Sequence, residues 1–334
     1  MQINIHIGSY KTGSTSIQVF MKRQRATLKE NGWIYPHAGC RNDNAHHLLP
    51  FALQKPVTAG APSKAEEIVS NIIDEAEAAG VDNVILSSEV FFSLTEAQVH
   101  RLANLFEGHD VRIVAYFRRQ DQFLHSFYMQ CIKQSEIRLS DKPENYRGFN
   151  EITDIARYDK IITWWEQAFG KDSLILDTFE KERLVDGVVA DFIAKLGLDS
   201  WLDGKVAGYT NLSIQTELIE YLRVINTLEI EPAQHDKLLK ELNQLSRKVA
   251  DKLENSKFIS VDKAREIMEM YSEINESVRE KWFPEREVLF GEAKGSDSEP
   301  WFEPRLRSET VARISAWLWF RNLEIEKQAL AAAV

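Results

Sequence analysis

Lys11, Thr12, Gly13, Ser14, Thr15 and Ser16 put one cation, one glycine and four hydroxyls into six consecutive positions. That mixture suits an oxyanion. Glycine lets a ligand come close to the backbone, free amides and hydroxyls donate to its oxygens, and the lysine adds a mobile full charge. Arg118 and Ser126, eight positions apart, offer a second cation and hydroxyl pair. Glu89 and the adjacent histidines His46 and His47 are the side chains suited to take a proton from an attacking hydroxyl; only one of the two histidines could face a common cleft. The chemistry these residues could support is the binding of an anionic group beside a side chain able to take a proton.

The surrounding pattern says how they are positioned. Ile3, Ile5 and Ile7 alternate as in a strand, Gly8 breaks it, and the hydroxyl run opens a helix with Ile17, Phe20, Met21 and Leu28 on its apolar side, stopping at Asn31-Gly32. A strand over 84–86 delivers Ser87, Ser88 and Glu89 at its end. Another over 112–117 delivers Arg118, and the apolar helix after it carries Ser126. Helices capped at Ser63-Lys64-Ala65-Glu66 and at Thr95-Glu96-Ala97-Gln98 lie between, while residues 33–50 read as a polar, turn-rich loop. Further on come a strand over 173–176 and a helix over 188–196. The alternation predicts an α/β fold, a parallel sheet flanked by helices on both faces, with Gly8, Glu89 and Arg118 on the carboxyl edge where such sheets bind ligands. Beyond residue 213 the pattern is almost wholly helical, over 218–228, 232–253, 261–278 and 311–332. The expected organisation is a single domain over 1–334, with a nucleotide-binding core over 1–200 and a helical cap over 201–334 continuous with it. Trp164 and Trp165 are expected in the core, and the Trp317 stripe in the core or on a homodimer face.

The order of residues in the first loop is distinctive. The common P-loop is G-x-x-x-x-G-K-[ST], with its lysine after the second glycine, whereas Lys11 precedes Gly13. A first strand followed by Lys11-Thr12-Gly13-Ser14-Thr15-Ser16 resembles the 5′-phosphosulfate loop of the sulfotransferase superfamily. Arg118 at a strand end with Ser126 eight residues later resembles that family's 3′-phosphate site. The resemblance implies a P-loop-like sulfotransferase fold of bacterial type and 3′-phosphoadenosine 5′-phosphosulfate as donor, leaving 3′-phosphoadenosine 5′-phosphate, with no metal. It further implies Lys11 at the leaving group and Thr12 to Ser16 on the phosphosulfate. Glu89 is favoured as base because carbohydrate sulfotransferases place a glutamate similarly; His47 or His46 stays open because other members use a histidine. The acceptor so implied is a carbohydrate, a glycolipid precursor or another small alcohol. Residues 192–198, 211–213, 282–284 and 289–290 resemble the later part of bacterial members, while the basic Arg-Lys-Gly signature of animal enzymes is absent.

Composition narrows the partners. A net charge of −10 argues against nucleic acids and other extended polyanions, which need a basic face. Two cysteines, Cys40 and Cys131, give neither a disulfide framework nor a thiolate metal site. No apolar run precedes the first strand and none is long enough to span a bilayer, so a cytoplasmic protein is expected. The competing readings are a P-loop kinase or nucleoside triphosphatase, which would need magnesium, and a non-catalytic nucleotide-binding interaction module.

Overall fold

The computed structural model describes residues 1–41, 44–56, 63–180, 182–184, 186–203, 214–249, 257–291 and 306–332. The chain divides into two compact units. The first comprises Met1–Phe123, Ile152–Tyr209 and Tyr271–Gly291, the second Leu124–Glu151, Thr210–Met270 and Glu292–Val334.

The elements, in chain order, begin with β1 (Gln2–His6), α1 (Ser14–Arg23), α2 (Arg25–Glu30), β2 (Trp33–Ile34), α3 (Leu48–Leu53) and α4 (Lys64–Ala79). Next come β3 (Asn83–Ser87), α5 (Glu96–Leu105), β4 (Asp110–Phe117), α6 (Gln120–Lys133), α7 (Arg147–Asn150), α8 (Tyr158–Phe169) and β5 (Leu174–Thr178). The rest are helices: α9 (Val188–Lys195), α10 (Thr216–Ile225), α11 (Pro232–Val249), α12 (Val261–Met270), α13 (Ser272–Trp282) and α14 (Ser308–Ala332).

The first unit is built on a five-stranded parallel sheet in the order β2-β3-β1-β4-β5. Its strands are buried on both faces, as parallel strands covered by helices must be: Ile3, Ile5, Ile85, Ile113 and Val114 are fully enclosed. The core on one side of this sheet gathers Ile17, Phe20, Met21 and Leu28 with Val189, Phe192, Ile193 and Leu198. The α/β architecture expected from the alternation is therefore the observed one. Register fixes the functional edge: His6 pairs with both Ser87 and Val114, so Gly8 and Glu89, each two residues past a paired position, emerge side by side.

Both expected caps form, Ser63 with Glu66 and Thr95 with Gln98. Three other expectations need correction. The helix expected to reach Asn31-Gly32 is broken at Gln24, which leaves helical geometry while its N–H serves the carbonyls of Phe20 and Met21. Residues 33–50 are not all loop: Trp33 and Ile34 pair with β3, and α3 begins at Leu48. Two residues are too few to show alternation, and Pro50 hides a helix that tolerates it because it falls in the first turn. The helix expected over 261–278 is two, interrupted at Tyr271, whose buried hydroxyl accepts the Thr153 N–H at 2.8 Å. Residues 211–213 and 250–253 lie outside the described residues.

In the second unit Tyr128, Tyr146, Phe149 and Phe258 form an aromatic cluster with ring centroids 4.9 to 5.4 Å apart in neighbouring pairs. Arg223 there is held in a two-pronged ion pair by buried Glu220, at 2.7 and 2.6 Å, and donates to the Ser140 carbonyl. Trp317 stands under the Lys248 ammonium at 4.4 Å, while Trp319 and Phe320 on the same helix are exposed. In the first unit, Trp165 is buried and stacked on Phe169. Among the described residues no helix is long and apolar enough to cross a membrane.

Candidate active site

The site grows from the turn between β1 and α1. Gly8, Lys11 and Gly13 all have left-handed backbone, with φ of 59°, 66° and 80°. Thr12 closes this turn: its buried hydroxyl donates to the Ser9 carbonyl at 2.8 Å and accepts the Ser9 N–H at 3.2 Å. A Thr12 so engaged offers a ligand its amide rather than its side chain. Lys11 has no glycine's freedom, and a left-handed non-glycine costs roughly 1–2 kcal/mol. Arg118 offsets that cost by donating to the Lys11 carbonyl at 3.0 Å.

The helix that follows is open at its start. Among the described residues no side chain caps α1 and no acid stands in its first turn. The Gly13 carbonyl takes the amides of Ser16 and Ile17, at 2.9 and 3.2 Å. The Ser14 and Thr15 amides precede the helix ladder, at the positive end of its dipole. Ser14 Oγ is buried and among the described residues has no hydrogen-bond partner, which is uncommon for a hydroxyl held away from water. Thr15 is exposed and Ser16 half-buried. An uncapped helix start beside an unsatisfied hydroxyl fits a phosphate-like group.

Gly13 also carries a packing constraint. A Cβ there would stand 2.6 Å from Val188 Cγ1, at the start of α9. The far end of α9 is pinned to the sheet by charge: Lys195 bridges Asp177 and Asp191 at 2.7 Å each, Arg286 donates to Asp177 at 2.8 Å, and Tyr116 donates to Asp191 at 2.6 Å. Burial pushes the Asp177 carboxyl up, but Lys195 and Arg286 outweigh it and hold it below the usual carboxylate range. Val188 therefore has little room to retreat. Gly13→Ala is expected to destabilise the protein by roughly 2 kcal/mol or more, from left-handed strain plus overpacking, measured as a lowered urea midpoint.

Glu89 lies against this turn. A Cβ on Gly8 would be 2.8 Å from Ser14 Oγ and 3.3 Å from Glu89 Cβ, so only glycine lets the loop and the end of β3 come together. One carboxylate oxygen of Glu89 accepts from Gln18 Nε2 at 3.0 Å; the other faces His47 Nε2 at 4.0 Å. The other ring nitrogen of His47 is 2.7 Å from the Ser88 hydroxyl, which itself accepts the Val90 N–H. A carboxylate opposite Nε2 favours the tautomer protonated there, leaving Nδ1 to accept from Ser88. Glu89 and His47, rival bases in the sequence, thus stand together at the mouth of one turn.

His46 does not join them. It is fully buried; its Nδ1 accepts the Ser87 N–H at 3.2 Å and its Nε2 donates to the Pro36 carbonyl at 3.1 Å, which fixes the neutral tautomer. Burial lowers its pKa to about 3. His46 is a strut tying Pro36 to the end of β3. His6 is likewise a buried sheet residue, bonded to Ser87 Oγ at 2.8 Å, with its pKa lowered to about 3 by burial.

Arg118 donates also to Gln122 at 3.1 Å and lies 5.8 Å from the Phe179 ring, while Tyr158 donates to its carbonyl. Its neighbour Arg119, not Arg118, pairs with Asp121, at 3.2 Å. Ser126 is buried on α6, in the part of that helix belonging to the second unit. Gln18 and the Ser88 hydroxyl complete the site, a role that their places in the sequence do not announce. Gln18 sits four residues after Ser14, on the same helical face, and that spacing was the available signal.

No protein-family model matches the chain. Over 203 residues, 60% of its length, it is 26% identical to an uncharacterized protein of Archaeoglobus fulgidus and covers 54% of it, so it spans about half the length of that relative. Among solved structures it is similar to the crystal structure of a sulfotransferase from Alicyclobacillus acidocaldarius. That match covers 70% of this chain and 97% of the other, at 15% identity and a TM-score of 0.36. A likeness this loose carries no mechanistic weight.

Proposed function

We propose that the protein is a sulfotransferase that moves a sulfuryl group from 3′-phosphoadenosine 5′-phosphosulfate to a hydroxyl of a carbohydrate or another small alcohol. One observation carries this reading. An uncapped helix start with an unsatisfied buried hydroxyl, Ser14, adjoins a glutamate and histidine 4.0 Å apart. The first suits a phosphosulfate and the second an alcohol's proton.

The donor, once bound, supplies sulfur joined to a phosphate leaving group. The chain's part is positioning and charge. The Ser14 and Thr15 amides and the hydroxyls of Ser14, Thr15 and Ser16 would hold the oxygens, with Thr12 and Gly13 shaping the turn. Lys11 would offset the negative charge gathering on the leaving oxygen. Arg118 and Ser126 are assigned to the 3′-phosphate on their spacing in sequence. Glu89, steadied by Gln18, would take the acceptor's proton, and His47 beside it is the alternative acceptor.

The test is calorimetric titration with 3′-phosphoadenosine 5′-phosphate without metal, in parallel with ATP and magnesium. Metal-independent binding of the former is expected, weakened at least tenfold in Lys11→Ala and further in Lys11→Ala, Arg118→Ala. Preference for magnesium-ATP would indicate phosphoryl transfer instead. Binding of neither would remove the reading.

A further inference from the structure

Beyond the base pair, α3 continues the same surface. His47 immediately precedes this helix, and Phe51, four residues on, shares its face, the two rings lying 6.0 Å apart. Phe51 is 36% exposed and Leu48, on the same helix, 41%, large apolar groups left facing water beside the His47 ring. The Arg41 guanidinium stands 5.7 Å from the centre of the Phe51 ring. Arg41 is exposed. An exposed guanidinium is within reach of an incoming anion.

The order along this surface is proton acceptor, apolar ring, cation: Glu89 and His47, then Phe51, then Arg41. We propose that Phe51 and Arg41 form the acceptor's binding face, and that the acceptor is an alcohol carrying its own carboxylate or phosphate. Its hydroxyl lies toward Glu89, its C–H face packs on Phe51, and its anion meets Arg41. A flat aromatic ring suits the apolar face of a sugar or polyol, and a guanidinium pairs with a carboxylate or phosphate through two parallel hydrogen bonds. The arginine already poised over the ring needs little reordering to do so. This assignment rests on the sulfotransferase reading.

The experiment uses the protein saturated with 3′-phosphoadenosine 5′-phosphate and four probes: methyl glucuronide against methyl glucoside, and glycerol 3-phosphate against glycerol. Binding is read by calorimetry. At least one anionic member is expected to bind tenfold or more tightly than its neutral partner, and which pair shows the gap tells carboxylate from phosphate. Arg41→Gln should erase that gap, and Phe51→Ala should weaken both glycosides, with nucleotide affinity unchanged in each variant. Equal binding within both pairs, a gap that survives Arg41→Gln, or no binding of any probe overturns the proposal. Failure of the nucleotide itself to bind the unaltered protein is a separate result, visible in the first titration; it ends the sulfotransferase reading and this one with it.

Discussion

Glu89→Gln is expected to lower sulfuryl transfer by roughly 10²–10⁴-fold, the usual contribution of a positioned general base, with nucleotide binding unchanged. The variant keeps the side chain's shape and removes its ability to hold a proton. The carboxylate is fixed from two sides, by Gln18 at 3.0 Å from α1 and by the Gly8 turn against its Cβ. The helix that would hold the donor therefore also holds the base. The measurement is transfer of label from ³⁵S-donor to an acceptor that the unaltered protein uses, beside calorimetry with 3′-phosphoadenosine 5′-phosphate. His47→Ala made in parallel divides the roles. If Glu89→Gln keeps its rate and His47→Ala loses it, the histidine is the base and Glu89 serves to orient it. Loss of nucleotide binding in Glu89→Gln would mean the carboxylate supports the loop, not the proton transfer.

The second large effect is on stability. His6 and His46 are buried and neutral, with pKa values near 3 against 6.5 when unfolded, because burial disfavours the imidazolium. Above pH 6.5 neither the folded nor the unfolded state binds these protons, and stability is unaffected. Between pH 6.5 and 3 only the unfolded chain binds them, so stability falls as pH falls. The limiting slope is about 1.4 kcal/mol per pH unit for each histidine, near 2.7 for both. Two pH units of acidification would thus remove much of the roughly 5–15 kcal/mol that stabilises a typical domain. Asp177 adds its own loss only at lower pH: its folded pKa is depressed, so its contribution is present above 3.8 and fades as pH falls through the folded value. Urea unfolding at pH 7, 6 and 5 checks this. A midpoint that does not move between pH 6 and 5 would show that both rings are protonated in the folded state, and a shift of half the expected size that one of them is.

The α/β class, the order of the longer strands along the chain and the loop after the first of them are legible in the residues alone. Strand periodicity and capping are local properties, so Ile3 to Ile7, the Ser63 and Thr95 caps and the approach to Arg118 could be read directly. Parallel strands then force their carboxyl ends onto one edge, which is why Gly8, Glu89 and Arg118 could be placed together. Short elements were not legible, because β2 is only two residues and α3 carries Pro50 in its first turn, where the pattern reads as a break.

Which histidine faces the turn is settled by long-range packing. His46 and His47 are neighbours of one type, and nothing in their order separates them. The backbone of Ser87 and Pro36 takes both nitrogens of one, and Ser88 and Glu89 take up the other. It likewise joined Gln18 to Glu89 across 71 positions, and Lys195 and Arg286 to Asp177 across the end of β5. Such polar contacts between distant segments leave no periodic trace in a sequence, because they are set by sheet register and by the absence of a side chain at Gly8.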